Sequence, residues 1–466
     1  MNTQWRDKQV LVLGLGESGL AMAAWLSRCG ARLRVADSRP AVPRSAELAR
    51  VAPGADCVLG PFDASLLDGV NAVAISPGLD PRMPLVDRAR SLGLAITGEM
   101  ELLALALREL GVRQQTRIIA ITGTNGKTTT TALAGDMARA AGLRTAVAGN
   151  ISPAALAVLI DHLDRDEPLP EAWVLELSSF QLETMYSLDP DAATVLNVSD
   201  DHLDRYADIA AYAATKARIF QGEGVMVLNR EDSRVAAMAI PGRRQRWFGT
   251  DAPRSAEEYG LELDADGEWL GLPAFGRIAR SELALAGAHN AANALAALAL
   301  CRAIELPWAP LLEALRAFRG LAHRVQQVAR RDDGVIFYDD SKGTNVGATV
   351  AALEGLRQKV VLIAGGDGKG QDFSPLAEPF VKYARAVVLL GRDAPLIAQA
   401  VADCGVALEH VADMDEAVAR ANALAQRGDA VLLSPACSSL DMYRNYAHRA
   451  EVFVNAVRRL PQVVAA

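Results

Sequence analysis

Residues 118–129 have the sequence IIAITGTNGKTT, in which a short apolar run leads directly into a glycine-rich loop. Such a run predicts a buried strand of a parallel sheet, and the loop predicts a phosphate-binding turn at the start of the next helix. Lys127 can reach the β and γ oxygens of a bound triphosphate, and Thr128 or Thr129 can offer a hydroxyl to Mg²⁺. The spacing differs from GxxxxGK[ST], because Ile121 stands at the first glycine position. The predicted ATP-binding residues of this loop are Gly123, Thr124, Asn125, Gly126, Lys127, Thr128 and Thr129.

Two other parts of the chain repeat this pattern of an apolar run followed by glycines. Val10–Leu13 precedes a glycine loop at 14–19, and Val360–Ala364 precedes a glycine turn at 365–370. Because Ala-rich helical stretches alternate with these runs, the sequence predicts an α/β fold whose parallel sheets are covered on both faces. We predict three domains, at residues 1–97, 98–321 and 322–466.

The first glycine loop has the spacing of a dinucleotide fingerprint. Gly14, Gly16 and Gly19 follow the first strand, and Asp37 follows a second strand at the expected distance further on. Ser38 and Arg39, directly after Asp37, could supply contacts to a phosphate or a ribose. On the residues alone, this loop could hold NAD, another diphosphate, or no ligand.

Three polar residues downstream of the ATP loop indicate a metal-assisted centre. Glu176 ends an apolar run, where a carboxylate that organises Mg²⁺ is commonly found. His202 lies beside acidic residues after another apolar run, and Lys216 lies in a predicted helix at 212–220. Each of these residues alone is more often structural or solvent-exposed, but together with the phosphate loop they form a candidate set.

The composition excludes several classes of protein. Hydrophobic residues make up 51% of the 466 residues and charged residues 22%, as expected of a globular protein and not of a disordered one. The net charge of −8 argues against general binding to nucleic acids or to anionic membranes. The five cysteines are scattered and form no CxxC pair, which argues against a disulfide framework or a structural zinc site.

The sequence also predicts no membrane segment. The N-terminal stretch MNTQWRDKQV lacks the apolar core of a signal peptide. The longest apolar stretch, at 283–300, is interrupted by His289, Asn290 and Asn293, so it predicts a buried helix and not a membrane span. We therefore expect a reduced, cytoplasmic, multidomain enzyme without nucleic-acid binding or membrane insertion, and the sequence leaves its protein partners open.

Segments that match motifs of one enzyme family, in the family's order, run along nearly the whole chain. They are TGTNGKTT at 122–129, LELSSFQLE at 175–183, NVSDDHLDRY at 197–206, HNAANALAAL at 289–298, GLAHR at 320–324, DDSKGTN at 339–345, GGDGKGQDF at 365–373 and SPACSSLDMY at 434–443. With these segments the chain resembles the Mur ligase family of ATP-dependent amide-forming enzymes that build the stem peptide of peptidoglycan. Three of the motifs, LELSSFQLE, DSKGTN and SPACSSLDM, resemble the member of the family that adds D-glutamate. Other members would show a DYAH-type or a GHHP-type segment in place of DDSKGTN.

The resemblance implies a Rossmann-like N-terminal domain for a UDP moiety, a central P-loop-type ATPase domain and a Rossmann-like C-terminal domain that receives the amino acid. It implies ATP-dependent addition of D-glutamate to UDP-N-acetylmuramoyl-L-alanine through an acyl phosphate, with Mg²⁺ at two sites. It also favours UDP over NAD at the first glycine loop. The implied contacts to the UDP substrate are Gly16, Ser18, Ser38, Arg39, Gly78 and Asn150.

The same resemblance implies the roles of residues in the central and C-terminal domains. Thr128 and Glu176 would hold one Mg²⁺, and His202 with a carbamylated Lys216 would hold the second. Lys127, Glu176, His202 and Lys216 would form the catalytic set. The implied ATP contacts outside the loop are Asn293, Arg324 and Asp340. The implied D-glutamate contacts are Lys342, Thr344, Lys369, Ser439, Leu440 and Tyr446.

Three positions depart from the family pattern. Glu17 stands where relatives often have an apolar residue, which leaves contacts to the uracil open. Gly343 stands in place of a common Ala, a change that we expect to be tolerated, and Tyr446 replaces a common Phe but keeps an aromatic ring.

Three other functions are compatible with parts of the sequence. A ligase of the folylpolyglutamate synthase type would share the ATP loop but lack the complete N-terminal domain. A dehydrogenase would use the first glycine loop for NAD and would have no need of Lys127, Glu176 or His202. A non-enzymatic scaffold would bind ATP without releasing phosphate in response to an amino acid.

Overall fold

The computed structural model describes residues 4–202, 205–285, 287–356, 358–461 and 463–465. The N-terminal elements are β1 (Gln9–Leu13), α1 (Glu17–Arg28), β2 (Arg32–Asp37), α2 (Ser45–Val51), β3 (Asp56–Leu59), β4 (Ala72–Ile75), α3 (Pro84–Ser91), β5 (Ala95–Thr97) and α4 (Glu99–Glu109). The strands form a parallel sheet in the order β3-β2-β1-β4-β5. Val10 and Val12 pack into one hydrophobic cluster and Leu11 and Leu13 into another. Successive side chains of a strand point to opposite faces, so both faces of this sheet are buried, as predicted.

The central part of the chain forms a second parallel sheet, in the order β11-β10-β9-β6-β8-β7. Helices that flank it pack against both faces, because its strands consist of apolar residues. Its elements are β6 (Arg117–Thr122), α5 (Lys127–Ala140), β7 (Thr145–Gly149), α6 (Ala155–Asp164), β8 (Ala172–Glu176), α7 (Ser179–Leu182), β9 (Ala192–Val195), α8 (Ile209–Ala217), β10 (Val225–Asn229), α9 (Ser233–Ala236), β11 (Gln245–Phe248), β12 (Gly260–Asp264), β13 (Gly267–Leu272), β14 (Gly276–Ala279), α10 (Ala288–Ala303) and α11 (Trp308–Ala317).

The structure corrects two details of the sequence prediction in this part. The apolar stretch at 283–300 becomes helical only at Ala288, because Gly287 has a φ of +88° that a helix does not accommodate. The predicted helix at 212–220 starts earlier, at Ile209, and ends in a 3₁₀ turn, Arg218–Phe220. The polar segment between β11 and α10 contains an antiparallel sheet, β12-β13-β14, in which Leu261, Leu270, Leu272 and Ile278 are buried in one cluster with α10 and α11.

The C-terminal part forms a mixed sheet in the order β19-β18-β17-β20-β16-β15-β21. The strands are parallel except that β15 runs antiparallel to both β16 and β21. Its elements are β15 (Gln326–Arg331), β16 (Ile336–Asp339), α12 (Val346–Leu356), β17 (Val360–Ala364), α13 (Ala377–Tyr383), β18 (Ala384–Leu389), α14 (Ala394–Ala400), β19 (Ala407–His410), α15 (Met414–Leu424), β20 (Ala430–Leu433), α16 (Tyr446–Arg458) and β21 (Val463–Ala465). Short 3₁₀ turns also occur at Ala64–Leu67, Arg113–Gln115, Arg280–Glu282, Ser374–Leu376 and Ala402–Cys404.

Most of the motifs lie at the carboxyl ends of parallel strands, where α/β sheets bind ligands. The first glycine loop follows β1, the phosphate loop follows β6, and Glu176 ends β8. In the third sheet, the segments at 339–345, 365–373 and 434–443 follow β16, β17 and β20. Because neighbouring parallel strands end at the same edge of a sheet, these segments meet in each domain.

The first two sheets are joined by helix packing. Helices α1, α4 and α6 contact one another, and one hydrophobic cluster runs from Val12 in the first sheet to Ala120 in the second. None of the described helices is both long and apolar enough to cross a membrane.

Candidate active site

The phosphate loop between β6 and α5 is built on two glycines with left-handed backbone. Gly123 has a φ of +149° and Gly126 a φ of +84°. A Cβ on Gly126 would lie 2.3 Å from Oδ1 of Asn293, and one on Gly123 would lie 2.9 Å from Cβ of Leu196. Both the conformation and the close approach of neighbours therefore require glycine at these positions.

Lys127 is folded back onto its own loop. Its Nζ donates hydrogen bonds to the carbonyl oxygens of Gly123 (2.9 Å) and Thr124 (2.8 Å). Burial lowers the pKa of the Lys127 ammonium, although the charges of Glu176 and Asp201 oppose that shift. The loop thus holds a cation beside the N-terminus of α5, where backbone N–H groups favour a phosphate.

A cavity of about 310 Å³ lies between the phosphate loop, α10 and the C-terminal domain. Asn293, Arg324 and Asp340, the predicted ATP contacts outside the loop, all line it together with Asn125 and Gly126. Asp340 accepts hydrogen bonds from Ser434 Oγ (2.7 Å) and from the backbone N–H of Val325 (3.3 Å), and burial raises its pKa to about 7. This cavity has a size suited to a nucleotide.

The C-terminal domain also reaches the phosphate loop directly. Arg324 Nη2 donates to Thr128 Oγ1 at 2.7 Å. Gly343, which departs from the family pattern, lies beside Asp340: a Cβ there would be 2.6 Å from Asp340 Oδ2 and 2.8 Å from Ser434 Oγ. In this chain glycine thus allows the Ser434–Asp340 hydrogen bond to lie directly beside the backbone of residue 343.

A smaller cavity of about 220 Å³ collects the predicted catalytic residues except Lys216. Lys127, Thr128, Glu176 and His202 line it, together with Lys342 and Thr344 from the C-terminal domain. Glu176 Oε1 accepts a hydrogen bond from Asn150 Nδ2 (2.8 Å), whereas its Oε2 is buried and has no hydrogen-bond partner among the described residues. A buried carboxylate oxygen without a partner, on a cavity that Thr128 also lines, fits a Mg²⁺ ion, which prefers oxygen ligands. The donor set is therefore compatible with the predicted metal.

His202 borders the same cavity and has an unusual backbone, with a φ of +55°. Its Nε2 lies 3.6 Å from Asp201 Oδ2, and its ring lies 4.7 Å from that of Phe180, measured between centroids. Burial lowers the pKa of His202, so the ring is neutral at pH 7 and can act as a ligand. Leu203 and Asp204 of the same motif lie outside the described residues.

Lys216 is not a surface residue. Its side chain is 1% exposed, its Nζ donates to the carbonyl oxygen of Gly123 (3.0 Å), and it lies 4.4 Å from the ring centroid of Tyr212. Burial and the neighbouring charge of Lys127 hold the pKa of Lys216 well below its ordinary value. Lys216 is therefore not exposed to solvent. Its amine lies at the back of the phosphate loop, against the carbonyl oxygen of Gly123.

A third cavity, of about 400 Å³, lies between the first and second sheets. Every predicted UDP-substrate residue lines it: Gly16, Ser18, Ser38, Arg39, Gly78 and Asn150. Arg39 pairs with Asp37 (2.8 Å) and holds the pKa of that carboxyl well below its usual range. Asn150 borders both this cavity and the catalytic one, so a ligand in the first can extend to Glu176.

The glycines of the first loop serve different purposes. A Cβ on Gly16 would meet no heavy atom within 4 Å in the part of the chain that the structure describes, so its open side faces the cavity. A Cβ on Gly19 would lie 1.8 Å from the carbonyl oxygen of Gly14 and 2.8 Å from Ser76 Oγ. Gly16 is therefore free for a ligand, and Gly19 is required by packing.

We expect Gly16→Leu and Gly19→Ala to separate ligand binding from stability. A leucine at 16 fills space beside the glycine loop, so it should raise the KM for a diphosphate substrate at least about tenfold while unfolding free energy falls by no more than about 1 kcal/mol. An alanine at 19 collides with backbone and should cost about 2–3 kcal/mol of stability. Thermal unfolding and substrate titration of both variants check this, and equal destabilisation by both would contradict it.

Only some of the C-terminal residues that are predicted to bind D-glutamate contact one another. Lys342 Nζ lies 4.0 Å from the ring centroid of Tyr446, and burial lowers the pKa of Lys342 to about 8. The turn that carries Lys369 pairs with the segment that carries Ser439 through reciprocal backbone hydrogen bonds of Asp367 and Ser438. Leu440, by contrast, is 65% exposed.

Sequence reasoning did not identify the residues that join the first two domains beside the cavity. Helix α6 has no side-chain cap of its own, and Glu17 of the first domain supplies one together with Glu99 at the start of α4. Glu17 Oε1 accepts from the backbone N–H of Ala154 (3.0 Å), and Glu99 Oε1 accepts from that of Leu156 (3.3 Å). Glutamates in the first turn of a helix ordinarily stabilise that same helix by interacting with its dipole. No local sequence signal therefore predicted that Glu17 and Glu99 would contact α6.

A second missed contact joins the rim of the cavity to the His202 segment. Arg205 donates to the carbonyl oxygen of Leu79 (3.0 Å) and pairs with Glu183, which also pairs with Arg82 (3.2 Å). Glu183 belongs to the same domain as Arg205, whereas Leu79 and Arg82 belong to the first domain, so only the packing of the two domains brings those two residues to this contact.

Comparisons with known proteins agree with this architecture. Three family models match in succession: the MurD-like N-terminal domain of Mur ligases at residues 8–98, the Mur ligase middle domain at 121–301, and the glutamate ligase domain of Mur ligases at 323–437. Among solved structures, UDP-N-acetylmuramate-alanine ligase from Thermotoga maritima matches with a TM-score of 0.58 at 20% identity, over 97% of this chain and 99% of that one. MurF from Acinetobacter baumannii matches with a TM-score of 0.60 at 18% identity, over 96% and 93% of the two chains. These structural matches show the shared three-domain fold.

Sequence relatives are much closer. A protein of Aromatoleum aromaticum named UDP-N-acetylmuramoylalanine--D-glutamate ligase is 65% identical over 98% of both chains. A protein of Nitrosomonas europaea with the same name is 55% identical over 97% of both chains. With this identity along almost the whole length, and with the family's three domains in order, the chain belongs to the Mur ligase family.

Proposed function

We propose that this protein is the ligase that joins D-glutamate to UDP-N-acetylmuramoyl-L-alanine, with cleavage of ATP to ADP and phosphate. The observation that carries the proposal is the cavity in which Lys127, Thr128, Glu176 and His202 of the central domain face Lys342 and Thr344 of the C-terminal domain. The names of the relatives and the segments LELSSFQLE, DSKGTN and SPACSSLDM support D-glutamate as the amino acid.

The reaction needs a leaving group on the substrate, because a carboxylate is a poor acyl donor to an amine. A carboxylate oxygen of the L-alanyl group attacks the γ-phosphorus of ATP, and ADP leaves. The D-glutamate amine then attacks the acyl carbon of the resulting acyl phosphate, and phosphate leaves with the electron pair of the broken C–O bond while the amine loses a proton. Two anions meet in the first step, so placement of cations dominates catalysis.

The contacts of the central residues support roles in the first step. Lys127 would exchange its hydrogen bonds to Gly123 and Thr124 for phosphate oxygens, and Arg324 would approach from the C-terminal domain. Thr128 and Glu176 would hold one Mg²⁺, and His202 with carbamylated Lys216 would hold a second. Bound Mg²⁺ would neutralise phosphate charge in this site.

The residues that line the cavities support the proposed substrate sites. The UDP moiety would lie against Gly16, Ser18, Ser38, Arg39 and Gly78, and Asn150 would guide the muramoyl end towards Glu176. D-Glutamate is a dianion at its two carboxylates, so Lys342 and Lys369 suit it, with Thr344, Ser439, Leu440 and Tyr446 completing the pocket. The domains would span residues 1–97, 98–321 and 322–466, and the enzyme would act in the cytoplasm.

A screen of acceptor amino acids tests the proposal. With ATP, Mg²⁺ and UDP-N-acetylmuramoyl-L-alanine, we expect phosphate release with D-glutamate to have a kcat/KM at least about 100-fold above that with L-glutamate, L-lysine or diaminopimelate. The control omits the UDP substrate and should release no phosphate that depends on amino acid.

Each alternative function predicts a different result in this screen or in the same assay with a folate substrate or with NADH. Efficient ligation of diaminopimelate but not of D-glutamate would contradict the acceptor assignment. Ligation that uses a folate substrate would indicate the folylpolyglutamate synthase type, and tight NADH binding that UDP does not compete would indicate a dehydrogenase. Binding of ATP without phosphate release would indicate a scaffold.

A further inference from the structure

Asn345 connects the C-terminal domain to the phosphate loop through one buried side chain. It directly follows the segment Lys342–Thr344 and precedes α12, and it is 8% exposed. Its Oδ1 accepts a hydrogen bond from the backbone N–H of Ala348 (2.8 Å), which is the arrangement of a helix N-cap. Its Nδ2 donates to Asn125 Oδ1 (3.2 Å) in the phosphate loop. Both hydrogen-bonding ends of this amide are therefore used, one within its own domain and one across the domain interface.

The partner of Asn345 is itself held in place. Asn125 donates its backbone N–H to Asn197 Oδ1 (2.8 Å), and Asn197 Nδ2 donates to the carbonyl oxygen of Asn125 (3.1 Å). These two bonds hold the Asn125 backbone from the end of β9, so its side chain projects from a fixed point. A hydrogen bond to the Asn125 side chain therefore fixes the position of Asn345 relative to the phosphate loop.

The next residues of α12 fit closely against the same surface. A Cβ on Gly347 would lie 3.2 Å from Ser199 Oγ and 3.3 Å from Asn125 Nδ2, which is closer than side chains usually approach. Gly347 does not have a left-handed backbone, so an alanine there is acceptable to the helix itself. Glycine at this position thus serves the approach of α12 to the phosphate loop.

We propose that Asn345 is a positioning residue that sets the amino-acid-binding segment Lys342–Thr344 against the phosphate loop. The inference deepens the proposed function and rests on it. In the second step, the amine forms a C–N bond to the acyl carbon, the C–O bond to phosphate breaks with its electron pair, and the amine gives its proton to solvent. The acyl phosphate is made at the phosphate loop of one sheet, whereas the amine is held by segments of another sheet. The Asn345–Asn125 contact spans 220 residues of chain and holds these two parts together.

Three variants separate this role from helix capping. Asn345→Ser keeps an N-cap acceptor for α12 but is too short to reach Asn125, whereas Asn345→Ala loses both interactions. Gly347→Ala keeps Asn345 and favours the helix, but its methyl group presses on Asn125 and Ser199. A positioning role predicts loss of activity in all three, and a capping role predicts that Asn345→Ser is normal.

The assay measures the two chemical steps separately in the full-length protein. Positional isotope exchange in ATP labelled with ¹⁸O at the β,γ-bridge, with UDP-N-acetylmuramoyl-L-alanine and without amino acid, reports acyl-phosphate formation. Phosphate release with D-glutamate reports the whole reaction. We expect Asn345→Ser to lower the kcat for ligation at least about tenfold, since displacements near 1 Å cost up to about 100-fold. Isotope exchange and thermal unfolding should stay close to wild type.

The outcomes divide clearly. Normal ligation by Asn345→Ser, or equal losses in exchange and ligation, would overturn the positioning role. If Asn345→Ser does not fold, Gly347→Ala decides the matter, because a stable variant with normal ligation would overturn the role and one with a selective loss would support it. A wild-type protein that exchanges label but ligates no D-glutamate would contradict the proposed function itself, whatever the variants do.

Discussion

Lys216→Ala is expected to fold and to lose turnover by about 100- to 1,000-fold, the range found when one preorganised electrostatic group is removed. Acetate should restore part of the activity by placing carboxylate oxygens in the space that the side chain leaves. The fold should survive because the Gly123 carbonyl oxygen, which accepts from Lys216, also accepts from Lys127.

The reason for this expectation is the state of the Lys216 amine. Reaction with CO₂ requires a neutral amine, and an ordinary lysine, with a pKa of about 10.4, is almost entirely charged at pH 7. Burial and the charge of Lys127 lower the pKa of Lys216, so the neutral form is available. A free ammonium would repel Mg²⁺, whereas a carbamate offers it oxygen ligands.

Two controls accompany this measurement, which follows turnover against acetate concentration at fixed ionic strength. Lys216→Arg should not be rescued, because guanidinium keeps its charge and does not form a carbamate. Lys382→Ala, at an exposed lysine of α13, should retain normal turnover with or without acetate. Normal activity of Lys216→Ala in the absence of acetate would refute the ligand role.

Lys127→Met is expected to lower kcat for ligation by about 1,000-fold and to lower isotope exchange in ATP to a similar extent. The variant removes the cation that the phosphate loop holds beside the start of α5, where the γ-phosphoryl group must be neutralised during transfer. Thr124 loses a hydrogen-bond donor to its carbonyl oxygen, so we expect a loss of about 1 kcal/mol in unfolding free energy.

The combined readout distinguishes Lys127 from Asn345. Loss of Lys127 should affect the first chemical step, whereas loss of the Asn345 contact should affect only the second. Circular dichroism during thermal unfolding shows whether Lys127→Met is folded at the assay temperature. A folded variant that keeps more than about a tenth of wild-type exchange would contradict the assigned role of Lys127.

Several features of the site could be predicted because they are local in the sequence. An apolar run followed by glycines and Lys127 predicts a strand, a phosphate loop and a helix, and the structure has β6, the loop and α5 in that order. The residues predicted for the UDP substrate come from four separate loops, yet all border one cavity. The loops of the first sheet meet because each follows a strand and the strand ends of a parallel sheet gather at one edge, whereas Asn150 follows β7 of the second sheet and reaches the cavity through the packing of the two sheets.

Other features were beyond local reasoning. The spacing of Gly14, Gly16 and Gly19 predicted a tight turn, but not which glycine faces a ligand and which is required by packing. That distinction depends on atoms such as Ser76 Oγ, which β4 brings from another part of the chain. Glu17 and Glu99 likewise cap α6, which begins more than a hundred residues after Glu17 and about fifty residues after Glu99.

The sequence by itself determined the α/β class, the positions of the glycine loops and the family, because these depend on hydrophobic pattern and on short motifs. Only the tertiary structure decided that Lys216 is buried at the back of the phosphate loop and that Asn345 reaches Asn125. These contacts join residues 93 and 220 positions apart. The physical reason is that burial and pKa depend on which surfaces pack together, and an Ala-rich helix segment or a loop asparagine looks the same in sequence whether it faces solvent or a neighbouring domain.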